Sequence, residues 1–157
     1  MVTKILELPP VMGTFQVAVT DKVQLGAVLE EIIEFTGPAK ITVSTFSCGE
    51  EFLIKLAKLR KAGKVKNSIL YCSEHGARKT ASLIPMISKV YDQAFYINNH
   101  SKMMIVEGCR ETVCVLASQN QTRGNRLENY TIINDGGSTA RKIIAALQAM
   151  PSFKLVR

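Results

Sequence analysis

Residues 41–61 read ITVSTFSCGEEFLIKLAKLRK, and within them the hydrophobic period changes from that of a strand to that of a helix. Residues 41–46 are rich in β-branched side chains, which pack well on a pleated surface. After Ser47 the apolar residues Phe52, Leu53, Leu56 and Leu59 recur at three- and four-residue spacing, which predicts a helix from about Glu50 to Lys61 that stops at Gly63. The same order stands before this unit. Residues 15–19 read as a strand, and Asp21 is expected to cap a helix carrying Val23, Leu25, Val28, Leu29, Ile32 and Ile33 up to Gly37-Pro38. It continues after the unit, with a strand at 68–72 and a helical stretch at 77–90 in which Pro85 predicts a kink or a delayed start. Strands follow at 94–97, 102–106, 112–116 and 130–133. A helix opening at Asp135-Gly136-Gly137-Ser138 and carrying Ile143, Ile144 and Leu147 is expected to close the chain. Strand and helix alternating in this way predict an α/β sandwich, a mixed sheet flanked by helices on both faces.

The chain has 157 residues, 46% hydrophobic and 21% charged, which suits one domain spanning residues 1–157 and excludes disordered, collagen-like and coiled-coil readings. Twenty Lys and Arg against thirteen Asp and Glu leave a net charge of +7, so the summed field favours polyanions, and nucleic acid is the first partner to consider. The first ten residues interrupt their apolar side chains with Lys4 and Glu7, no apolar run has the length of a bilayer span, and no helix carries an all-basic polar face. Neither export nor membrane insertion is expected, and a cytoplasmic location is. Cys48, Cys72, Cys109 and Cys114 form no CxxC pair and sit in or beside apolar runs, which predicts reduced, buried thiols rather than a zinc site.

Chemistry concentrates where the first of these late strands ends and the next two begin. Residues 98–108 read NNHSKMMIVEG and are followed by Ala117-Ser118-Gln119-Asn120. In an extended segment alternate side chains share a face, so His100 and Lys102 point the same way, setting an imidazole beside a fixed positive charge, a pair suited to phosphate. Glu107 lies an odd number of positions from His100 and falls on the other face or at the strand's end.

This pattern resembles the phospholipase D superfamily, whose signature HxKxxxxD followed by GSxN is written here as His100-x-Lys102-x4-Glu107 and Ala117-Ser118-x-Asn120. Leu127-Glu128-Asn129 before the next strand resembles the family Glu that orients the catalytic histidine. Two positions depart from the family. Glu107 replaces Asp at a structural position of the motif, and Ala117 replaces Gly, so no glycine-only backbone is expected there. What the resemblance implies is a phospholipase D-like fold and a two-step phosphodiester reaction without metal or cofactor. His100 attacks phosphorus, a second histidine protonates the leaving oxygen, Lys102 and Asn120 hold the non-bridging oxygens, Ser118 assists, and Glu128 holds the imidazole tautomer.

The chain holds one HxK only, because His75 lacks a lysine two residues on and reads as a surface residue. A homodimer that brings two motifs together, as in the Nuc-type endonucleases of the superfamily, is therefore expected. The expected substrate is nucleic acid, DNA first, with Arg78, Lys79, Arg123 and Arg126 as backbone contacts. Two competing readings remain open: a nucleic-acid-binding module that has lost turnover through the Glu107 and Ala117 changes, and a lipid phosphodiesterase. The run Lys55, Lys58, Arg60, Lys61, Lys64 and Lys66 fits a phosphate-binding face or the solvated side of a helix equally well. Asp135-Gly136-Gly137-Ser138 reads as a turn and cap, and Met103 and Met104 as core filling.

Overall fold

The computed structural model describes residues 6, 10, 12–121 and 126–156. Its strands are β1 (Thr14–Thr20), β2 (Ala39–Thr45), β3 (Val65–Ser73), β4 (Gln93–Ile97), β5 (Met103–Gly108), β6 (Thr112–Ala117), β7 (Glu128–Asn134) and β8 (Ser152–Val156). They form one sheet in the order β1-β7-β6-β5-β2-β3-β4-β8. The pairs β2–β3 and β3–β4 are parallel and all others antiparallel, so the sheet is mixed, as the alternation of elements predicts.

Helices cover both faces. On one side α1 (Leu25–Thr36) lies over β5 and β6, α2 (Glu50–Lys61) over β3, and α4 (Ile84–Val90) over β4 and β8. Their apolar stripes, Val28, Leu29, Ile32 and Ile33 of α1 and Phe52, Leu53, Leu56 and Leu59 of α2, meet Ile41, Val43, Leu70, Met104, Val106, Val113 and Val115 from the sheet in the main core. On the other side α5 (Ser138–Ala149) packs Ala140, Ile143 and Ile144 against Ile105 and Cys114, and Leu147 against Tyr71 and Ile97. Alternate residues of β5 and β6 thus serve different cores, which explains why these strands read as continuous apolar runs.

Four sequence expectations change. Asp21 does not cap α1: the N-cap is Gln24, and the first helical N–H, of Leu25, donates instead to Gln119 Oε1 at 3.0 Å, a partner ninety-four residues away that no local pattern reveals. The 77–90 stretch is not one helix. The short α3 (Ala77–Thr80) ends in a 3₁₀ turn at Ala81–Leu83, and α4 begins at Ile84 with Pro85 in its first turn, where the missing N–H costs nothing. Nor does α5 close the chain, because β8 follows it and pairs antiparallel with β4. Its signal is the five-residue alternation of Phe153 and Leu155 with Ser152 and Lys154, short enough to pass for a tail. The N-cap of α5 is Gly137, and Asp135 before it accepts from Thr139 N at 3.0 Å and Thr139 Oγ1 at 2.7 Å; these bonds, and the backbone donors near it, keep its pKa below the usual range. Cys48, Cys72 and Cys114 are buried as expected, but Cys109 is exposed, because it sits in the β5–β6 turn. Among the described residues no helix is long and apolar enough to cross a membrane.

Candidate active site

The strand directions decide which residues meet. With β2, β3 and β4 parallel and β5, β6 and β7 alternating in direction from β2 outward, one end of the sheet gathers the C-termini of β2, β3, β4 and β6 and the N-termini of β5 and β7. His100, Lys102, Ser118, Asn120 and Glu128 all lie on this end, which we call the upper edge, in three neighbouring strands or the segments joined to them.

β5 begins at Met103, one residue later than expected, so His100 and Lys102 stand on the irregular segment leading into the strand rather than in it. They still share a side: Lys102 Nζ lies 3.3 Å from His100 Nδ1 and donates to the His100 carbonyl at 2.9 Å. An ammonium has only protons to offer, so Nδ1 accepts and a neutral ring carries its proton on Nε2. The imidazole packs on Phe46, the residue just past β2, with ring centroids 5.3 Å apart at 58°. Phe46 is in turn backed by Gly76, where any Cβ would stand 2.1 Å from the Phe46 carbonyl oxygen. The sequence reading placed Phe46 in the strand 41–46 and gave it no part in the site; β2 ends one residue earlier, at Thr45.

β6 brings up the second part of the motif. Met103 pairs with Leu116, and Ala117 N donates to the Lys102 carbonyl at 2.9 Å, which seats residues 117–120 beside Lys102. No non-glycine residue has positive φ among those described, so Ala117 occupies its position without strain. Ser118 Oγ donates to Glu128 Oε2 and accepts from Asn129 N at 3.0 Å. Asn120 is half-buried, and its Oδ1 is buried with no hydrogen-bond partner among the described residues. Below this layer Tyr130, fully buried, lies with its hydroxyl 2.7 Å from Gln119 Oε1. Burial, aided by the charge of Glu128, pushes its pKa up to about 12.

The remaining residues singled out in the sequence divide by position. Arg78 and Lys79 are exposed on α3 and Arg126 is exposed just before β7, all at the upper edge; Arg123 lies outside the described residues. Glu107 sits near the far end of β5, 3.5 Å from Lys40 of the adjoining strand, where it ties β5 to β2. Half of the basic run is spent on ion pairs: Lys55 with Glu30 at 2.6 Å, Arg60 with Asp92 at 2.7 Å and Lys64 with Glu34 at 3.8 Å. His75 is an exposed turn residue 3.9 Å from Glu74. Among the described residues no three His, Cys, Asp or Glu side chains gather as a metal-ligand set.

Comparison with solved structures bears on this arrangement. Nuc from Salmonella typhimurium, described as a phospholipase D family member, superposes with a TM-score of 0.70 at 16% identity, over 89% of this chain and 97% of its own. The chain has a phospholipase D-type fold. Polyphosphate kinase from Porphyromonas gingivalis is similar too (TM-score 0.62, 10% identity, 88% of this chain), as is phosphatidylserine synthase from Haemophilus influenzae (0.54, 14%, 90%). This chain spans 26% and 40% of those two proteins. No protein-family model and no curated protein matches the sequence.

Proposed function

We propose that this protein is a phosphodiesterase that cleaves nucleic acid through a phosphohistidine, with a homodimer as the working unit. The observation that carries the reading is the His100–Lys102 pair, nitrogen to nitrogen at 3.3 Å, on the edge that also holds Ser118 and an Asn120 Oδ1 with no partner among the described residues. An anion entering there gains the Lys102 ammonium, and the Asn120 side chain can turn its amide toward a phosphoryl oxygen.

The mechanism needs two imidazoles in different states. With Nδ1 accepting from Lys102, a resting His100 is a neutral ring with its proton on Nε2. The copy that donates must instead be an imidazolium, its Nδ1 released from Lys102, because a neutral ring that gave up its one proton would be left as an imidazolate. In the copy that binds the scissile phosphate, Lys102 turns to the phosphoryl oxygens and releases Nδ1, so the ring proton can sit there and leave Nε2 free to attack. Glu128 Oε2 is held by Ser118, which leaves Oε1 to accept an Nδ1–H. His100 Nε2 then attacks phosphorus, the bond to the leaving oxygen breaks with its electron pair on that oxygen, and His100 of the partner subunit supplies the proton. Water next attacks the phosphohistidine, gives a proton back to that ring, and the P–N bond breaks to release a phosphomonoester. Arg78, Lys79 and Arg126, exposed on the same edge, supply backbone contacts to a polyanion.

The test is incubation of the protein with DNA in EDTA beside His100→Ala, with the mass in solution measured by light scattering. Cleavage in EDTA that disappears in the variant, together with a dimer, supports the proposal. Intact DNA with retained salt-sensitive binding replaces it with a binding module, hydrolysis of a short-chain phospholipid without action on DNA moves the substrate to lipid, and an active monomer removes the two-histidine mechanism.

A further inference from the structure

The segment 98–102 belongs to no helix or strand, yet it carries the two groups on which the proposed chemistry depends. Its inward side chains are polar. Asn99 is 9% exposed, Ser101 is half-buried, and both turn toward Ser44 of β2, which is 2% exposed. Asn99 Oδ1 accepts from Ser101 N at 2.7 Å, closing a turn across His100, and from Ser101 Oγ at 2.5 Å. Asn99 Nδ2 donates to Ser44 Oγ at 2.7 Å and reaches the Thr45 carbonyl at 3.5 Å, and the two serine oxygens lie 2.6 Å apart.

Proton accounting gives this cluster a direction. Ser101 spends its one hydroxyl proton on Asn99, so the short contact between the serines takes its proton from Ser44. The bonds then close a ring, Ser44 to Ser101 to Asn99 to Ser44, with each hydroxyl donating once and accepting once. The Asn99 amide has one orientation only, because exchanging its oxygen and nitrogen would set an NH2 against the Ser101 N–H. Buried polar groups that are all satisfied hold one arrangement, since any other leaves a donor or acceptor bare.

We infer that Ser44, Asn99 and Ser101 form a positioning ring that sets the orientation of His100 and Lys102, an inference that rests on the catalytic reading of that pair. The ring holds both residues that flank His100, 99 and 101, and it hangs from the strand whose end carries Phe46 against the imidazole. These three are positioning residues: none has a polar atom at the His100 ring, and they act through the backbone of 99–101.

The experiment needs no substrate. In wild-type protein, NMR is expected to show nuclear Overhauser contacts between the His100 and Phe46 rings and slow exchange of the Ser101 amide; His75→Ala assigns the second of the two histidines. Ser101→Ala and Ser44→Ala, checked for an intact fold by their other amide signals, are expected to weaken the ring–ring contacts at least fivefold. Ser101→Thr, which keeps the hydroxyl, is expected to restore them. Where turnover of a chromogenic phosphodiester is measurable, kcat is expected to fall at least tenfold in Ser101→Ala with KM within twofold, and to recover in Ser101→Thr. Unchanged ring contacts in both alanine variants, or a Ser101 amide that exchanges as an open loop does in wild type, overturn the positioning ring. Ring contacts that respond as expected in a protein without hydrolytic activity leave the ring standing and overturn the phosphodiesterase reading instead.

Discussion

At the lower edge of the sheet, where β2, β3 and β4 begin, Arg60 is clasped by Asp92 through bonds of 2.7 and 2.9 Å, and Asp92 also takes the Ser68 N–H at 2.8 Å. Lys40 meets Glu107 and Lys64 meets Glu34 nearby. Among the described residues at the upper edge, Arg78, Lys79 and Arg126 are exposed and make no ion pair, and the Lys102 ammonium is engaged with His100 alone. The net charge of +7 is therefore not one uniform field. The lower edge uses Arg60, Lys40 and Lys64 to tie strands and helices together, with Lys61 and Lys66 exposed beside them, whereas none of Arg78, Lys79, Lys102 and Arg126 at the upper edge is held in an ion pair among the described residues.

The sharpest way to break this contrast is Lys102→Ala against Lys64→Ala. Removing a charge that stabilises a transition state costs about 10²- to 10³-fold in turnover, so Lys102→Ala is expected to lose that much phosphodiesterase activity, while Lys64→Ala stays within twofold of wild type. Equal losses in a chromogenic phosphodiester assay would erase the distinction between the edges.

Two glycines sharpen it next. A Cβ at Gly76 would meet the Phe46 carbonyl at 2.1 Å, and one at Gly108 would meet the Thr36 carbonyl at 2.5 Å, so each edge holds one backbone approach that no side chain fits. Overpacking of this kind costs about 1–3 kcal/mol, and both Gly76→Ala and Gly108→Ala are expected to lower stability by that order in denaturant unfolding. Only Gly76→Ala displaces the ring that packs on His100, and only it is expected to reduce activity in the folded protein.

A smaller effect belongs to Asp92. The Arg60 guanidinium beside it, with help from Ser68, holds its pKa below the usual carboxylate range. A carboxylate depressed on folding contributes stability that is present above its unfolded pKa, near ~3.9, and that is lost as pH falls through the lower folded value. Asp92→Asn is expected to cost about 1–2 kcal/mol at pH 7, after discounting for partial exposure. The gap in melting temperature between variant and wild type is expected to close as pH drops below about 4, and a gap that persists in acid would mean that packing rather than charge holds this corner.

The smallest expected effects are at single surface cations. Arg78→Ala or Lys79→Ala is expected to weaken DNA binding a few-fold and to reduce the salt dependence of log K by about one ion for each cation removed. Lys58→Ala, on the outer side of α2, is expected to leave that slope unchanged. Titrations at several salt concentrations separate the two.

Much of the fold was written in local pattern. The apolar stripe of α2 is legible because Phe52, Leu53, Leu56 and Leu59 repeat at the helical period, and its ends coincide with the expectation. The start of α1 was not legible, since the group that satisfies its first N–H, Gln119, comes from the far side of β6. β8 was lost for a related reason: a five-residue edge strand has too few residues for a period to stand out, and its pairing partner β4 lies beyond α5 in sequence.

The site divides in the same manner. Two-residue alternation singles out His100 and Lys102, and the resemblance to the phospholipase D signature adds Ser118, Asn120 and Glu128; both are read from local sequence. That Phe46 packs on the imidazole, that Ser44 closes a ring beneath it, and that Ser118 gives its proton to Glu128 depend on β2 lying beside β5, and β6 beside β7. Sequence determined which chemical groups this protein carries and at what intervals. Tertiary structure decided which of them face one another, because strand pairing brings together residues from ten to fifty-seven positions apart and no local period records that meeting.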